Sequence, residues 1–277
     1  MFNHCKPYKY NTFRVFSAVF LILLGILHAS ANTDHPASIH PRIALLGDSM
    51  TWIGGDSCQN DTGWTHILKE SNIAGTIDLY ARSGATWTNT KSTNRNPEHY
   101  TELLHDDNVV YNQAIRLIES SDTGKEEPDI VILFAGANDA WFAAKRPGIF
   151  DEDCKNTHIP TSTPPGNVTS LAGSVRLVSE MLHTRFPKVT LLFVTPLQMS
   201  KTDAETIFKI SDIIEKTASE MGWSTLRADQ ETGICHAQEA KSPKYTYDGV
   251  HTNPAGASIL GNLIVKFITS RIITDNL

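Results

Sequence analysis

The chain has 277 residues, with 24 Lys+Arg against 30 Asp+Glu, a formal net charge of −6, 40% hydrophobic and 19% charged residues. This is the content of a folded globular protein, which excludes full-length disorder and collagen-like repeats. The acidic balance and the lack of a long Lys/Arg block exclude a nucleic-acid binder.

At the N-terminus, Lys6, Lys9 and Arg14 precede an apolar run from Val15 to Leu27, and Ala29-Ser30-Ala31 follows as an A-x-A cleavage signature. The pattern predicts a secretory signal peptide over residues 1–31; the alternative is an uncleaved anchor. A spanning helix would need about 20 apolar residues. Cleavage after Ala31 leaves 246 residues, removes three basic and no acidic residues, and takes the net charge from −6 to −9. Residues 32–277 are expected to form one domain, exported to the periplasm or the medium and without stable membrane insertion. The sequence leaves the oligomeric state open.

Four apolar runs of strand length follow: Ile43 to Leu46, Ile77 to Tyr80, Ile130 to Ala135 and Val189 to Thr195, with a weaker fifth at Ser224 to Leu226. Apolar on both faces, they suit a parallel sheet covered by helices. Helical stripes lie between and after them. Leu171, Val175, Val178 and Leu182 form one. Ile207, Ile210, Ile214 and Met221 form a second, with a capping-box pattern at Thr202 and Glu205. Leu260, Leu263, Ile264, Phe267 and Ile268 form a third, opened by Asn253 as N-cap and Pro254 at the first helical position. The alternation predicts a three-layer α/β/α sandwich around a parallel sheet of about five strands. Trp141 to Val168 interrupts it with 28 aperiodic residues rich in Pro and Gly. Connections of that length are uncommon and tend to be functional or disordered.

In a parallel α/β sheet, ligands bind beyond the carboxyl ends of the strands. Strand one runs into Gly47-Asp48-Ser49-Met50, strand two into Ser83-Gly84-Ala85 and strand three into Gly136-Ala137-Asn138-Asp139; Asp248-Gly249-Val250-His251 precedes the last helix. Each piece alone has a plain structural reading, as a helix cap, a turn or a surface pair. Together they supply a nucleophile, a base, an acid to orient the base, and donors for an anionic intermediate, which are the parts acyl transfer requires. Histidine exchanges a proton near neutral pH, so His251 can activate the weakly nucleophilic Ser49, and Asp248 can fix the imidazole tautomer. Asp48 and Asp139 are read as loop ties.

These four blocks, in this order, resemble the SGNH (GDSL-type) serine hydrolase family, and the resemblance spans nearly all of residues 32–277. It implies a flavodoxin-like SGNH hydrolase fold, a catalytic domain over 32–277, and esterase chemistry without a metal or organic cofactor. By resemblance Ser49, Asp248 and His251 are catalytic, and the oxyanion hole is made by the Ser49 and Gly84 amides with the Asn138 side chain. The first block departs from the family pattern only in carrying Met50 where leucine is usual, an exchange of similar apolar fillers. The Gly-x-Ser-x-Gly nucleophile elbow is absent, because Thr51 stands two residues after Ser49.

Trp52, Trp87 and Trp141 each lie two or three residues past a block, Trp64 closes the loop after the first, and Arg82 adjoins the second. Aromatic platforms with polar edges suit a sugar ring, and Arg82 could meet an acidic group such as a uronate; packing under loops and a structural ion pair are the competing readings. The expected substrate is therefore a small-molecule or polysaccharide ester, led by an O-acetylated carbohydrate. A lysophospholipase, thioesterase or arylesterase activity is the enzymatic alternative, and a non-catalytic carbohydrate-binding protein the alternative of another class. Of Cys58, Cys154 and Cys235, two are expected to pair across the rim of the site, with the pairing open. Sequons at Asn60 and Asn167 matter only in a eukaryotic secretory pathway.

Overall fold

A computed structural model describes residues 40–151 and 158–274. The expected signal peptide and Cys154 lie outside the described residues. Five parallel strands, β1 (Arg42–Gly47), β2 (Thr76–Leu79), β3 (Ile130–Phe134), β4 (Thr190–Val194) and β5 (Ser224–Leu226), pair in the order β2-β1-β3-β4-β5. The three inner strands are almost wholly buried, as near-continuous Ile, Leu, Val and Phe require of strands covered on both faces. Each observed strand lies within a residue or two of its predicted run.

Right-handed crossovers decide the layers. The chain steps from β1 to β2 in one direction, then from β2 past β1 to β3, β4 and β5 in the other. That reversal sends α2 (Trp64–Glu70) to one face. It sends α3 (Val110–Asp122), α5 (Leu171–Arg185) and α6 (Ala204–Glu220) to the opposite face, where they pack side by side. The terminal helix α9 (Pro254–Thr274) returns to pack on α2, and a Cβ at Gly261 would sit 2.5 Å from Ile67 Cβ, so that approach needs glycine. Leu171, Val175, Val178 and Leu182 are buried in α5, Ile207, Ile210 and Ile214 in α6, and Leu260, Ile264 and Ile268 in α9. Short helices α1 (Ser49–Trp52), α4 (Ala137–Trp141), α7 (Ala228–Glu231) and α8 (His236–Lys241) fill the connections. Among the described residues, no helix is long and apolar enough to cross a membrane.

Two boundary expectations are corrected. The cap of α6 is Asp203, not Thr202: its carboxylate accepts from Thr206 N at 2.7 Å and from the Thr206 hydroxyl at 2.9 Å, two bonds that one threonine hydroxyl could not make. Met221 is the C-cap of the same helix and half-buried, so the core stripe ends at Ile214 and Ala218. The cap of α9 is Asn253, whose Oδ1 accepts from Gly256 N at 3.1 Å.

The sheet order places a switch point between β1 and β3, where consecutive connections leave in opposite directions and a crevice opens at the strand ends. Gly47-Asp48-Ser49 and Gly136-Ala137-Asn138-Asp139 both emerge there.

Candidate active site

At the end of β1 the backbone passes close to β3. Asp48 N donates to Phe134 O at 3.3 Å, and a Cβ on Gly47, at φ +156°, would lie 2.0 Å from that same oxygen. Gln113 of α3 grips Gly47 from the other side, accepting from its N–H at 2.7 Å and donating to its carbonyl at 2.8 Å. Asp48 then caps α1, its Oδ1 accepting from Met50 N at 2.9 Å. Ser49 follows as the first residue of that helix, half-buried with its hydroxyl in the crevice.

Asp48 is fully buried, and its Oδ2 makes no hydrogen bond. Burial pushes its pKa up to about 7 against the pull of the Met50 amide, and Asp139 adds a like charge that raises it further. Asp139 is equally buried but better served: it accepts from Trp87 N at 2.8 Å, Thr88 N at 2.9 Å and the Thr88 hydroxyl at 2.8 Å. Burial still leaves its pKa above the ordinary carboxylate range. Asp48 thus caps α1, and Asp139 ties the loop at Trp87 and Thr88 to α4.

His251 reaches Ser49 from the loop before α9. Its Nε2 lies 2.9 Å from Ser49 Oγ and its Nδ1 2.7 Å from Asp248 Oδ2. Asp248 Oδ1 accepts from the backbone amides of Val250 at 2.9 Å and His251 at 2.7 Å. Partial burial pushes the Asp248 carboxyl up, but the His251 ring and these two amides outweigh it and hold the pKa below the ordinary value. With Asp248 ionised, Nδ1 carries the hydrogen and Nε2 is left to accept from the serine hydroxyl. The loop is closed by a Thr246–Thr252 bridge. It is moored by Glu239 of α8, a buried carboxylate that accepts from the amides of Lys244, Tyr245 and Thr246 and from the Thr246 hydroxyl.

The second and third blocks are fastened to each other. Arg82–Ala85 is a turn, closed by Ala85 N to Arg82 O at 3.4 Å, with Gly84 at φ +77° in its third position, where a left-handed conformation favours glycine. Asn138, buried in α4, donates one Nδ2 hydrogen to Ala85 O at 2.9 Å, and a side-chain amide has two. The amides of Ser49 and Gly84 donate to no acceptor among the described residues.

An open pocket of about 540 Å³ adjoins Ser49 and His251. Trp52, Ile53, Gly54, Gly55, Ser57 and Asn60 line one side, with Ser83 and Tyr247 completing it. Of the aromatic and basic residues predicted near substrate, Trp52 alone lines this pocket. Its Nε1 donates to Asp56 Oδ1 at 3.0 Å, and the Arg82 guanidinium lies 5.8 Å over its ring. Arg82 is held by that same Asp56 oxygen at 3.0 Å and by Ala81 O at 2.7 Å, which is the structural ion pair. Trp87 belongs to the core: it is fully buried, stacks on Phe193 at 6.0 Å and donates to Ala135 O, because Asp139 draws its backbone inward. Trp141 is 39% exposed, stacks on Phe142 at 5.1 Å, and is not part of the pocket lining. Trp64 is also core.

Sequence reasoning missed Tyr247, which is 58% exposed, lines the pocket and stacks on the His251 ring at 5.7 Å. Its place beside Asp248 was the available signal. Cys58 is a buried free thiol, so it takes no part in a rim disulfide; Cys235 is disulfide-bonded. Among the described residues, no group of three or more His, Cys, Asp or Glu side chains is gathered to hold a metal.

The sequence matches the GDSL-like lipase/acylhydrolase family over residues 45–259. No curated protein matches it. Solved structures are similar in fold. A protein from Lactobacillus plantarum is 20% identical with a TM-score of 0.58, over 83% of this chain and 97% of that one. The lipase/acylhydrolase from Enterococcus faecalis is 17% identical with a TM-score of 0.50, over 83% and 96%. A member of the lipolytic protein G-D-S-L family from Veillonella parvula is 13% identical with a TM-score of 0.51, over 82% and 98%.

Proposed function

The chain belongs to the GDSL-like lipase/acylhydrolase family and is a carboxylic ester hydrolase, and from that premise we propose that it is an exported serine esterase acting on O-acylated carbohydrates through an acyl-enzyme. The observation that carries the chemistry is the unbroken hydrogen-bonded line Ser49 Oγ, His251 Nε2, His251 Nδ1, Asp248 Oδ2, at 2.9 and 2.7 Å.

Ser49 Oγ attacks the ester carbonyl carbon while His251 Nε2 takes its proton, and Asp248 stabilises the imidazolium. The negative charge that forms on the carbonyl oxygen is received by the Ser49 and Gly84 amides and by the second Nδ2 hydrogen of Asn138. Donors already fixed in place need no reorganisation as that charge develops. The adduct collapses by breaking the bond to the alcohol oxygen, which leaves with the His251 proton. Water then repeats the sequence: His251 takes a proton from it, the hydroxide adds to the acyl carbon, and the proton returns to Ser49 Oγ as the acid departs.

Support for a carbohydrate ester comes from the pocket, in which Trp52 and Tyr247 offer flat rings with polar edges and Ser57, Asn60 and Ser83 offer hydrogen bonds. Support for export comes from Lys6, Lys9 and Arg14 ahead of the apolar run and from the A-x-A signature, which make residues 1–31 a signal peptide and 32–277 the catalytic domain. A panel of acetylated sugars, short-acyl and long-acyl esters tests the reading. The expected result is a kcat/KM for acetylated sugars about tenfold or more above that for long-acyl esters, abolished in Ser49→Ala. Preference for long acyl chains would overturn the carbohydrate assignment.

A further inference from the structure

We infer that the pocket beside His251 receives the alcohol half of the ester, a pyranose-sized polyol held between Trp52 and Tyr247, and that Tyr247 is a specificity-determining residue. The inference rests on the serine esterase reading above and goes further by assigning the two halves of the substrate to sides of the site.

The assignment follows from the proton. When the tetrahedral adduct collapses, the departing oxygen must take a hydrogen, and the hydrogen taken from Ser49 is on His251 Nε2. The alcohol therefore lies on the His251 side of Ser49. The pocket is on that side: it includes His251 and Tyr247 together with Ser49, whereas Gly84 and Asn138, the oxyanion donors of the proposed mechanism, are not in its lining.

Its chemistry fits a polyol better than an acyl chain. Ile53 is the single aliphatic side chain in the lining, while Ser57, Asn60 and Ser83 bring hydrogen-bonding groups. Gly54 and Gly55 add no side chains, and the pocket of about 540 Å³ is far larger than an acetyl group or a small alcohol needs. The two aromatic walls are unlike each other. Trp52 is fixed through Asp56 and Arg82, a rigid platform. Tyr247 has its ring lying 18° from parallel with the His251 ring and 58% of its surface open, and it shares the pocket lining with His251 and Ser49.

A kinetic signature separates this role from a structural one. The alcohol is present during acylation and gone before deacylation, whereas His251 works in both steps. The test is pre-steady-state and steady-state kinetics of the full chain with an acetylated methyl glycoside and with p-nitrophenyl acetate, for wild type, Tyr247→Ala, Tyr247→Phe and Trp52→Ala. For Tyr247→Ala we expect kcat/KM on the glycoside to fall about tenfold or more, with partial recovery in Tyr247→Phe. Deacylation of the acetyl-enzyme, read from the steady-state rate that follows the p-nitrophenyl acetate burst, is expected to stay within about twofold of wild type, since no alcohol takes part in it. Trp52→Ala should show the same split. A parallel fall in deacylation would overturn the inference by making Tyr247 a support for His251, and losses that track acyl length instead of the alcohol would place the acyl group in the pocket. Hydrolysis of both esters that persists in Ser49→Ala would remove the serine esterase reading itself, an outcome distinct from both.

Discussion

The proposed nucleophile and its proposed base are held in opposite ways. Ser49 stands just past the end of a buried strand, next to the buried Asp48 and two residues after Gly47, which a buried glutamine from α3 grips, so its position belongs to the core. His251 and Asp248 stand on a short loop whose side chains are 24% and 39% exposed, and much of that loop's geometry is made from its own amides. One side of the site is placed by the buried sheet, the other by a turn moored by Glu239 and by two longer-range hydrogen bonds, Thr252 Oγ1 to Thr62 O and Ser200 N to Gly249 O, each at 2.7 Å. Changes on the first side should therefore disturb stability and activity together, and changes at the exposed His251 and Asp248 side chains should act on activity alone.

The largest expected effect tests both sides at once. Ser49→Ala and His251→Ala should each lower kcat by four to six orders of magnitude and the double variant little further, because the two act as one unit; the figure is on the order of that for serine hydrolases generally. Thermal unfolding should be unchanged in His251→Ala. A fall in stability there would show the base loop to be coupled to the core.

Asp48→Asn addresses the core side. In the fold Asp48 keeps its proton up to about pH 7, against 3.8 for an ordinary aspartate. Between those values the native state binds the extra proton, so the contribution of Asp48 to stability is complete below about pH 4 and is lost as pH rises to about 7. The loss is on the order of 4 kcal/mol for a shift of about three units. Denaturant titrations should show wild type losing stability over this window relative to Asp48→Asn, which retains a capping oxygen and cannot ionise. Equal pH dependence in the two proteins would show that Asp48 ionises normally.

Asn138→Ala should lower kcat about 10²–10³-fold through the lost oxyanion donor. It should also cost about 1 kcal/mol of stability, since its bond to Ala85 O is lost with it. Activity assays and unfolding on the same preparation check both, and full activity would remove Asn138 from the oxyanion role. Glu239→Gln, the smallest change, should lower kcat several-fold by loosening the loop, with the melting temperature reduced by a few degrees. A larger effect on melting than on turnover would make the loop part of the core after all.

The same contrast explains what was legible in the sequence. The strands β1, β3 and β4 show as unbroken apolar runs because both their faces are covered, and α5, α6 and α9 show as stripes. The stripe of α3 was obscured because Asn112 and Gln113 sit at buried positions, where they bond the loop around Asn94–Asp107 and the end of β1. The four blocks were legible because each is a short local motif. Which aromatics face the crevice was not, since three residues of separation say nothing of direction: Trp52 stays at the rim while Asp139 pulls Trp87 into the core. Tyr247 belongs to no block, and its place follows from a loop that Glu239, eight residues earlier, holds through the Tyr245 and Thr246 amides.

The central claim is that Ser49, activated by His251, becomes covalently acylated. Its most direct test is reaction of the intact protein with a fluorophosphonate, followed by mapping of the modified residue. The account predicts a single adduct on Ser49 that abolishes ester hydrolysis, and no labelling of Ser49→Ala or His251→Ala. Well-folded wild type that hydrolyses esters yet resists the probe, or that carries its adduct on another residue, would contradict it.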